Sequence, residues 1–588
     1  MEEVSSKNQH IGNRRTHSGR LSPATLFALI AAAALFLQQP ALSAQATPAP
    51  PAQDSKPPQA SPSPAPTQPA PQADAADKTH ITPEQAKKLF ALVDELIKFS
   101  SDESGLPVKS TVKRQLTTRN AVESYIREKF DEDEGAKRLQ KDEIVLKKLG
   151  LLDHDFQLKP FLLALLKEQV EAYYDAKTKT VNMLDWVDID EQKPVLAHEL
   201  THALQDQRID LDKWNDQTPD DVSTNSSDDT DHLAKDELDT ARDAVVEGQA
   251  TAVMMDYILK PMGKSLVKDP EIMDLVKGQM ASAENSPVLA RAPILLSESL
   301  LFPYREGLSF EQDLWMDQGK TAAFAGALDQ PPTSSWEIIN PREFEHHGIP
   351  AIPLLPNIHP LVDPLYKPYD IGQVGELDLK ILTQLFGGDT ASKEITPAWD
   401  GGIYWAGQRL SATPTEQAST SSISLFYLSA WKSEASAQAF AHLYADSLGR
   451  KYSGLHRDAA APAPVDAPAG TVEQVYTTNE GPVIITVRGK LVFVSESFDL
   501  PMARKLASLL LDAQGSGELK QASLTMPAEP HSTASSTTTL RSPGSQSTAQ
   551  SSQPAFPTLS GNLVQFFAES GVMKSAVDAA MQAAQQQR

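Results

Sequence analysis

The sequence predicts an α+β fold in two parts: a largely helical domain over residues 78–350 and a smaller α+β domain over residues 370–513. Three observations carry this reading. Val195, Leu196, Leu200, Ala203 and Leu204 recur at helical spacing directly after Tyr173–Asp185, a segment that reads as a β-hairpin. From Pro261 to about Pro350 the pattern is mostly helical. Leu377 to Leu511 has a different texture, in which short strand-like runs alternate with two helices.

The ends lie outside both domains. Arg14, Arg15 and Arg20 precede the apolar run Leu26–Leu37, and Ala44-Gln45-Ala46 supplies the small-x-small pattern a signal peptidase needs. Residues 1–46 are therefore expected to be an export signal, which makes the mature chain secreted, or resident in a bacterial periplasm or envelope. An uncleaved anchor is the alternative, because Pro23–Leu42 is just long enough to span a bilayer; no other segment is apolar enough. Residues 47–77 hold ten prolines between Pro48 and Pro71 and are expected to form an extended linker without a core.

Structure is expected from Thr82, where Thr82-Pro83-Glu84-Gln85 offers an N-cap, a proline at the first helical position and a glutamine at the third. Val108–Thr117 alternates like a strand, Arg119–Phe130 looks helical, and the hairpin turns at Ala176–Lys179. Asp190 is the expected cap of the next helix, with Pro194 tolerated in its first turn. The acidic stretch Gln205–Asp239 lacks the spaced ligands of a calcium loop and is expected as a solvated surface loop before a second helix, Glu237–Tyr257.

In the later domain, strands are expected at Gly402–Arg409, Ile423–Leu428 and Gly470–Tyr476, and a hairpin at Arg488-Gly489-Lys490. Helices are expected over Glu434–Leu448 and Pro501–Leu511, and no chemical cluster is expected there. Residues 514–558 read as a disordered Ser/Thr/Gln-rich linker. Residues 559–588 carry an amphipathic helix, Leu563–Met581, that could dock on the body or on a partner.

Composition narrows the function. A formal net charge of −24 argues against nucleic-acid binding, which needs a basic face for phosphate. The absence of cysteine removes disulfides, thiolate ligands and cysteine nucleophiles, and suits an exported bacterial protein.

The chemistry centres on His198-Glu199-Leu200-Thr201-His202. On a helix, residues four apart share a face, so both imidazoles can reach one metal ion. Glu199 then stands beside the metal, placed to take a proton from an activated water and deliver it to a leaving nitrogen. A catalytic zinc needs a third protein ligand. The pattern HExxHxxGxxH is excluded by Gln205 and Arg208, which stand where it needs glycine and histidine. Glu247, in the apolar and small segment Ala244–Thr251, is the candidate, because an acid among apolar neighbours needs a partner. The competing reading pairs Glu247 with Arg242. Gly248 and Ala250 are expected to let its helix pack closely on the motif helix.

Val195–Gln207 with the later VVEGQAT resembles the gluzincin group of HExxH zinc metallopeptidases, and is most similar to exported bacterial and archaeal members. Tyr173–Thr180, Leu301–Gly307 and Pro331–Pro341 also fit, so the likeness covers about Leu162–Pro341. It implies a zincin-like catalytic domain in which His198, His202 and Glu247 bind Zn2+ and Glu199 is the catalytic base, with a peptide or protein as substrate. Such proteins bind an extended peptide along a strand beside the metal, and Val181–Leu184 is the segment expected in that place. Thr251 stands where many gluzincins have an aspartate that orients a ligand histidine, so Asp206 is expected to take over that task. Asn340 stands where some relatives have histidine, which leaves Tyr304 as the candidate transition-state donor, against a plain core tyrosine. His346-His347 reads as a surface pair. Two rivals stay open: a catalytically silent envelope binding protein on the same fold, and a zinc amidase acting on cell-wall material.

Overall fold

A computed structural model describes residues 81–124, 134–170, 172–214, 217, 221–280, 286–348, 351–461 and 467–514, together with 553–554, 560, 563–564, 567 and 573–586. The export signal, the proline-rich linker and nearly all of the Ser/Thr/Gln-rich linker lie outside the described residues. The described chain is mixed α+β and mostly helical. No described helix is long and apolar enough to cross a membrane.

Helix α1 (Pro83–Ser104) begins at the expected cap: the Thr82 hydroxyl accepts from the Gln85 N–H, and the Gln85 side chain accepts from the Thr82 N–H at 2.9 Å. It ends at Gly105, which supplies φ 74°. Then follow β1 (Lys113–Thr117), α2 (Glu134–Leu149), α3 (Leu158–Gln169), β2 (Tyr173–Asp175) and β3 (Thr180–Leu184). The hairpin forms with Tyr173 opposite Asn182. Strand order is β1-β3-β2, with β1 parallel and β2 antiparallel to β3. Val181–Leu184 is therefore the buried middle of this sheet. The strand with an outer edge on the hairpin side is β2.

Helix α4 (Ile189–Ile209) carries the motif and packs on α1, where the Ser100 hydroxyl donates to the Ala197 carbonyl at 2.9 Å. Asp188, not Asp190, caps it, accepting from the Asp190 N–H at 2.8 Å. Pro194 therefore lies inside the helix, beyond the first turn in which it was expected. Buried Gln192 fixes the start of α4 to the end of β3, donating to the Leu184 and Val187 carbonyls and accepting from the Leu184 N–H.

The acidic stretch is not a solvated loop. Its later part folds as α5 (Ser226–Lys235), which meets the later sheet; Asp229, His232, Asp236 and Glu237 are buried there, and Asp239 is buried at the start of α6 (Leu238–Leu259). Composition alone suggested solvent, but tertiary cover decided. Beyond α6 the chain is helical, through α7 (Ile272–Met280), α8 (Ile294–Phe302), α9 (Leu308–Gln318) and α10 (Ser335–Ile339), with wide π turns at Pro303–Gly307 and Ala322–Gly326.

The later region is a seven-stranded antiparallel sheet: β4 (Tyr366–Gln373), β5 (Trp399–Arg409), β6 (Ile423–Trp431), β7 (His456–Arg457), β8 (Val472–Thr478), β9 (Gly481–Arg488) and β10 (Leu491–Glu496), in the order β4-β5-β6-β10-β9-β8-β7. The β9–β10 hairpin turns at Gly489, φ 58°. Helix α11 (Glu376–Ile395) follows β4, α12 (Glu434–Lys451) follows β6, and α13 (Leu500–Ala513) follows β10. Alternation along β6 sends Leu425 and Tyr427 into a core with Phe440 and Tyr444 of α12. Phe426 and Leu428 enter a second core with Leu506 and Leu510 of α13. Both faces are covered, so β6 is buried along its length.

The first of these cores is continuous with that of the helical region. The later region also holds polar clusters that sequence did not suggest. Buried Lys148 bridges to Glu480 at 2.7 Å and to Ser497, and Lys451 pairs with Glu496 among the Tyr444 and Tyr452 hydroxyls. These pairs join α2 and α12 to the sheet, and satisfied charges of this kind are structural.

The closing helix docks on the body. Helix α14 (Lys574–Gln586) packs on α7, α6 and α3, where Ser575 donates to Gln169 through its hydroxyl at 2.8 Å and its N–H at 3.1 Å. Leu563, Val564 and Phe567 lie in the main core.

Candidate metal centre

His198 and His202 lie one turn apart on α4, and α6 crosses that helix to present Glu247. All three side chains are buried. His198 Nε2 is 3.0 Å from Glu247 Oε2 and 2.9 Å from His202 Nε2, and His202 Nε2 is 3.5 Å from the same carboxylate oxygen. Among the described residues this is the one group of His, Asp or Glu side chains whose donor atoms converge closely enough to hold a metal. Arg242 does not compete for Glu247: its guanidinium goes to the Trp214 carbonyl and ring.

The donor set fits zinc. Bonds of about 2.0–2.1 Å in a tetrahedral site place neighbouring ligand atoms about 3.4 Å apart, close to the spacings here. Two imidazole nitrogens 2.9 Å apart also need positive charge between them. Without metal, one proton supplies it. Burial and the neighbouring His202 pull His198 down to about 4. Burial acts against the charge on His202 too, but Glu247, with Glu199 and Gln205, holds it up at about 9. Glu247 stays ionised, near 2, because the imidazoles outweigh the cost of its burial.

Glu199 is buried beside the trio. Burial and the Glu247 charge push it up to about 7, against the pull of His202 and of the Tyr174 N–H. A base poised there suits proton transfer near neutral pH.

Tyr304 is also at the site. Its ring centroid lies 6.3 Å from that of His198, and its buried phenol, held well above its usual range by desolvation and by Glu247 and Glu199, faces both carboxylates. A close backbone crossing puts it there. A β-carbon on Gly248 would fall 2.3 Å from the Gly307 carbonyl oxygen, and one on Gly307 would fall 2.1 Å from that of Ala244. Gly248 thus serves the contact of α6 with the Pro303–Gly307 turn, not with α4 as the sequence suggested.

Four expectations about the surroundings need correction or placement. Asp206 does not orient a ligand histidine; it accepts from the Tyr174 hydroxyl at 2.7 Å, Lys179 Nζ at 2.6 Å and the Leu211 N–H, tying the β2–β3 hairpin to α4. Gln205 orients His202 instead, with its Oε1 2.9 Å from Nδ1. Its position three residues beyond His202, on the same helix face, was the signal that could have found it. Asn340 donates to Glu376 at 2.6 Å and to the Trp336 carbonyl. His346 and His347 are exposed. Thr251 is buried, and neither its hydroxyl nor His198 Nδ1 has a hydrogen-bond partner among the described residues.

Fold and site together define a mixed α+β protein with a buried two-histidine, one-glutamate centre. Comparison with protein-family profiles, curated proteins and solved structures finds no match.

Proposed function

We propose that this chain is an exported zinc-dependent metallopeptidase with a zincin-like fold. The convergence of His198, His202 and Glu247 on one point, with Glu199 beside it, carries the reading. A bound zinc would polarise a substrate carbonyl and lower the pKa of water to about 7. Glu199 accepts the proton of the attacking water and passes it to the leaving nitrogen, so the peptide bond breaks while a C–O bond forms. Tyr304 is placed to donate to the developing oxyanion. An extended peptide would add alongside β2, the edge strand whose Tyr174 N–H faces Glu199.

The test is Glu199→Gln, assayed for metal content and for peptide hydrolysis. The variant should keep its zinc and lose about 10²- to 10⁴-fold in turnover. Cleavage at the parental rate would remove Glu199 from the mechanism.

A further inference from the structure

We infer that Gln249 and Gln205 form a positioning relay that holds the Nδ1 proton of His202, so that Nε2 is the nitrogen left to face a metal with His198 and Glu247. The inference rests on the metal-centre reading above.

The relay starts at two backbone carbonyls. The π turn Ala322–Gly326 presents the oxygens of Ala323 and Phe324 to Gln249 Nε2, each at 2.9 Å. A carbonyl can only accept, so the nitrogen end of the Gln249 amide must face the turn. Its oxygen end then faces α4, where it accepts from Gln205 Nε2 at 3.0 Å. Gln205 Nε2 also meets the Val246 carbonyl at 2.9 Å, a second acceptor that fixes the same orientation independently. The Gln205 oxygen must therefore face His202, and at 2.9 Å from Nδ1 it requires Nδ1–H as donor. Both glutamines are wholly buried, so water does not compete for these bonds. Each amide has one orientation that satisfies its neighbours, and the only freedom left to His202 is at Nε2.

Among the described residues His198 has no such support, because its Nδ1 lacks a partner there. The relay therefore makes His202 the pre-oriented ligand of the pair. Partners of this kind typically contribute about 10- to 100-fold in metal affinity.

The test compares full-length wild type with Gln205→Met, Gln249→Met and the double variant, loaded with zinc alone. Zinc loss to a chelator is timed, and the His202 Nδ1 proton is followed by NMR on histidine-labelled protein. Wild type should show a protected, hydrogen-bonded Nδ1–H. Gln205→Met should lose that protection and release zinc about 10- to 100-fold faster. Gln249→Met should act in the same direction, and the double variant should match Gln205→Met, because both act through one imidazole. Gln312→Met is the control: Gln312 lies on α9, is also buried, and donates to the Leu266 carbonyl at 2.8 Å. If it releases zinc as fast as Gln205→Met, general destabilisation explains the effect and the relay is wrong. Wild-type zinc retention and proton protection in Gln205→Met, or independent multiplying effects, would also overturn it. Should Gln205→Met fail to fold, Gln249→Met decides alone by the same two readouts. Failure of wild type to hold zinc would count against the metal-centre reading itself.

Discussion

Glu237 and Glu247 stand ten residues apart around one helix, both buried, yet their protons are held in opposite ways. Glu247 faces two imidazoles and is ionised, near 2. Glu237 sits among other acids and is pushed up to about 8 by desolvation, with Asp378 and Asp236 adding to the shift. Around it, burial lifts Asp378 and Glu376 to about 7, and raises Asp370 and Asp236. Several of these groups accept from neutral donors: Ser335 for Glu237, Asn340 for Glu376, the Ser560 N–H for Asp378, and Tyr404 for Asp370. His232 is the basic group at this junction, 3.4 Å from Asp236. Burial alone does not decide the charge of an acid; the charges that face it do. One region is built to concentrate negative charge for a cation, the other to hold α6, the seven-stranded sheet and the C-terminal segment together with neutral acids.

The contrast can be broken most severely at the metal centre. His202→Leu removes the imidazolium that faces Glu247 and leaves that buried carboxylate to His198 alone, and should cost about 3–5 kcal/mol in urea unfolding of metal-free protein at pH 7. A loss under about 1 kcal/mol would mean that the trio is not electrostatically coupled. The acid junction predicts a loss at alkaline pH, to which Glu199 and His202 of the metal-free centre, raised to about 7 and about 9, add in the same direction. Because its folded pKa values are raised, its contribution is complete below the unfolded carboxyl range, near pH 4, and disappears as pH rises through 7 to 8. Metal-free protein should thus lose on the order of a few kcal/mol between pH 6 and pH 9 in denaturant titrations. A flat profile would show that these acids are already ionised. The smallest effect sharpens the comparison: Glu237→Gln keeps an acceptor for Ser335 without a proton to lose, and should reduce that alkaline loss measurably while changing stability at pH 6 little.

Much of the site was legible because its geometry is local. Four-residue spacing put His198 and His202 on one face, and an acid in an apolar segment marked Glu247. The later strands and helices were legible as well, since turn chemistry and periodicity decide them locally: Gly489 turns its hairpin, and β6 reads as a continuous apolar run because both of its faces are covered. What escaped depends on tertiary cover. The acidic composition of Gln205–Asp239 suggested solvent, but β4 and α11 bury the carboxyls that follow α5. The hairpin reading of Tyr173–Asp185 identified Val181–Leu184 as a strand, yet its pairing with β1 on its far side, which made β2 the edge, lies more than sixty residues away in sequence. Gln205 needed only the helical period to be noticed, but its role needed Val246 and Gln249 from another helix.

The central claim is that His198, His202 and Glu247 form a zinc site, and the direct measurement is elemental analysis of purified full-length protein beside Glu247→Ala. The account predicts one zinc per chain in the parent and essentially none in the variant. A parent without zinc, or a variant that keeps it, would contradict it.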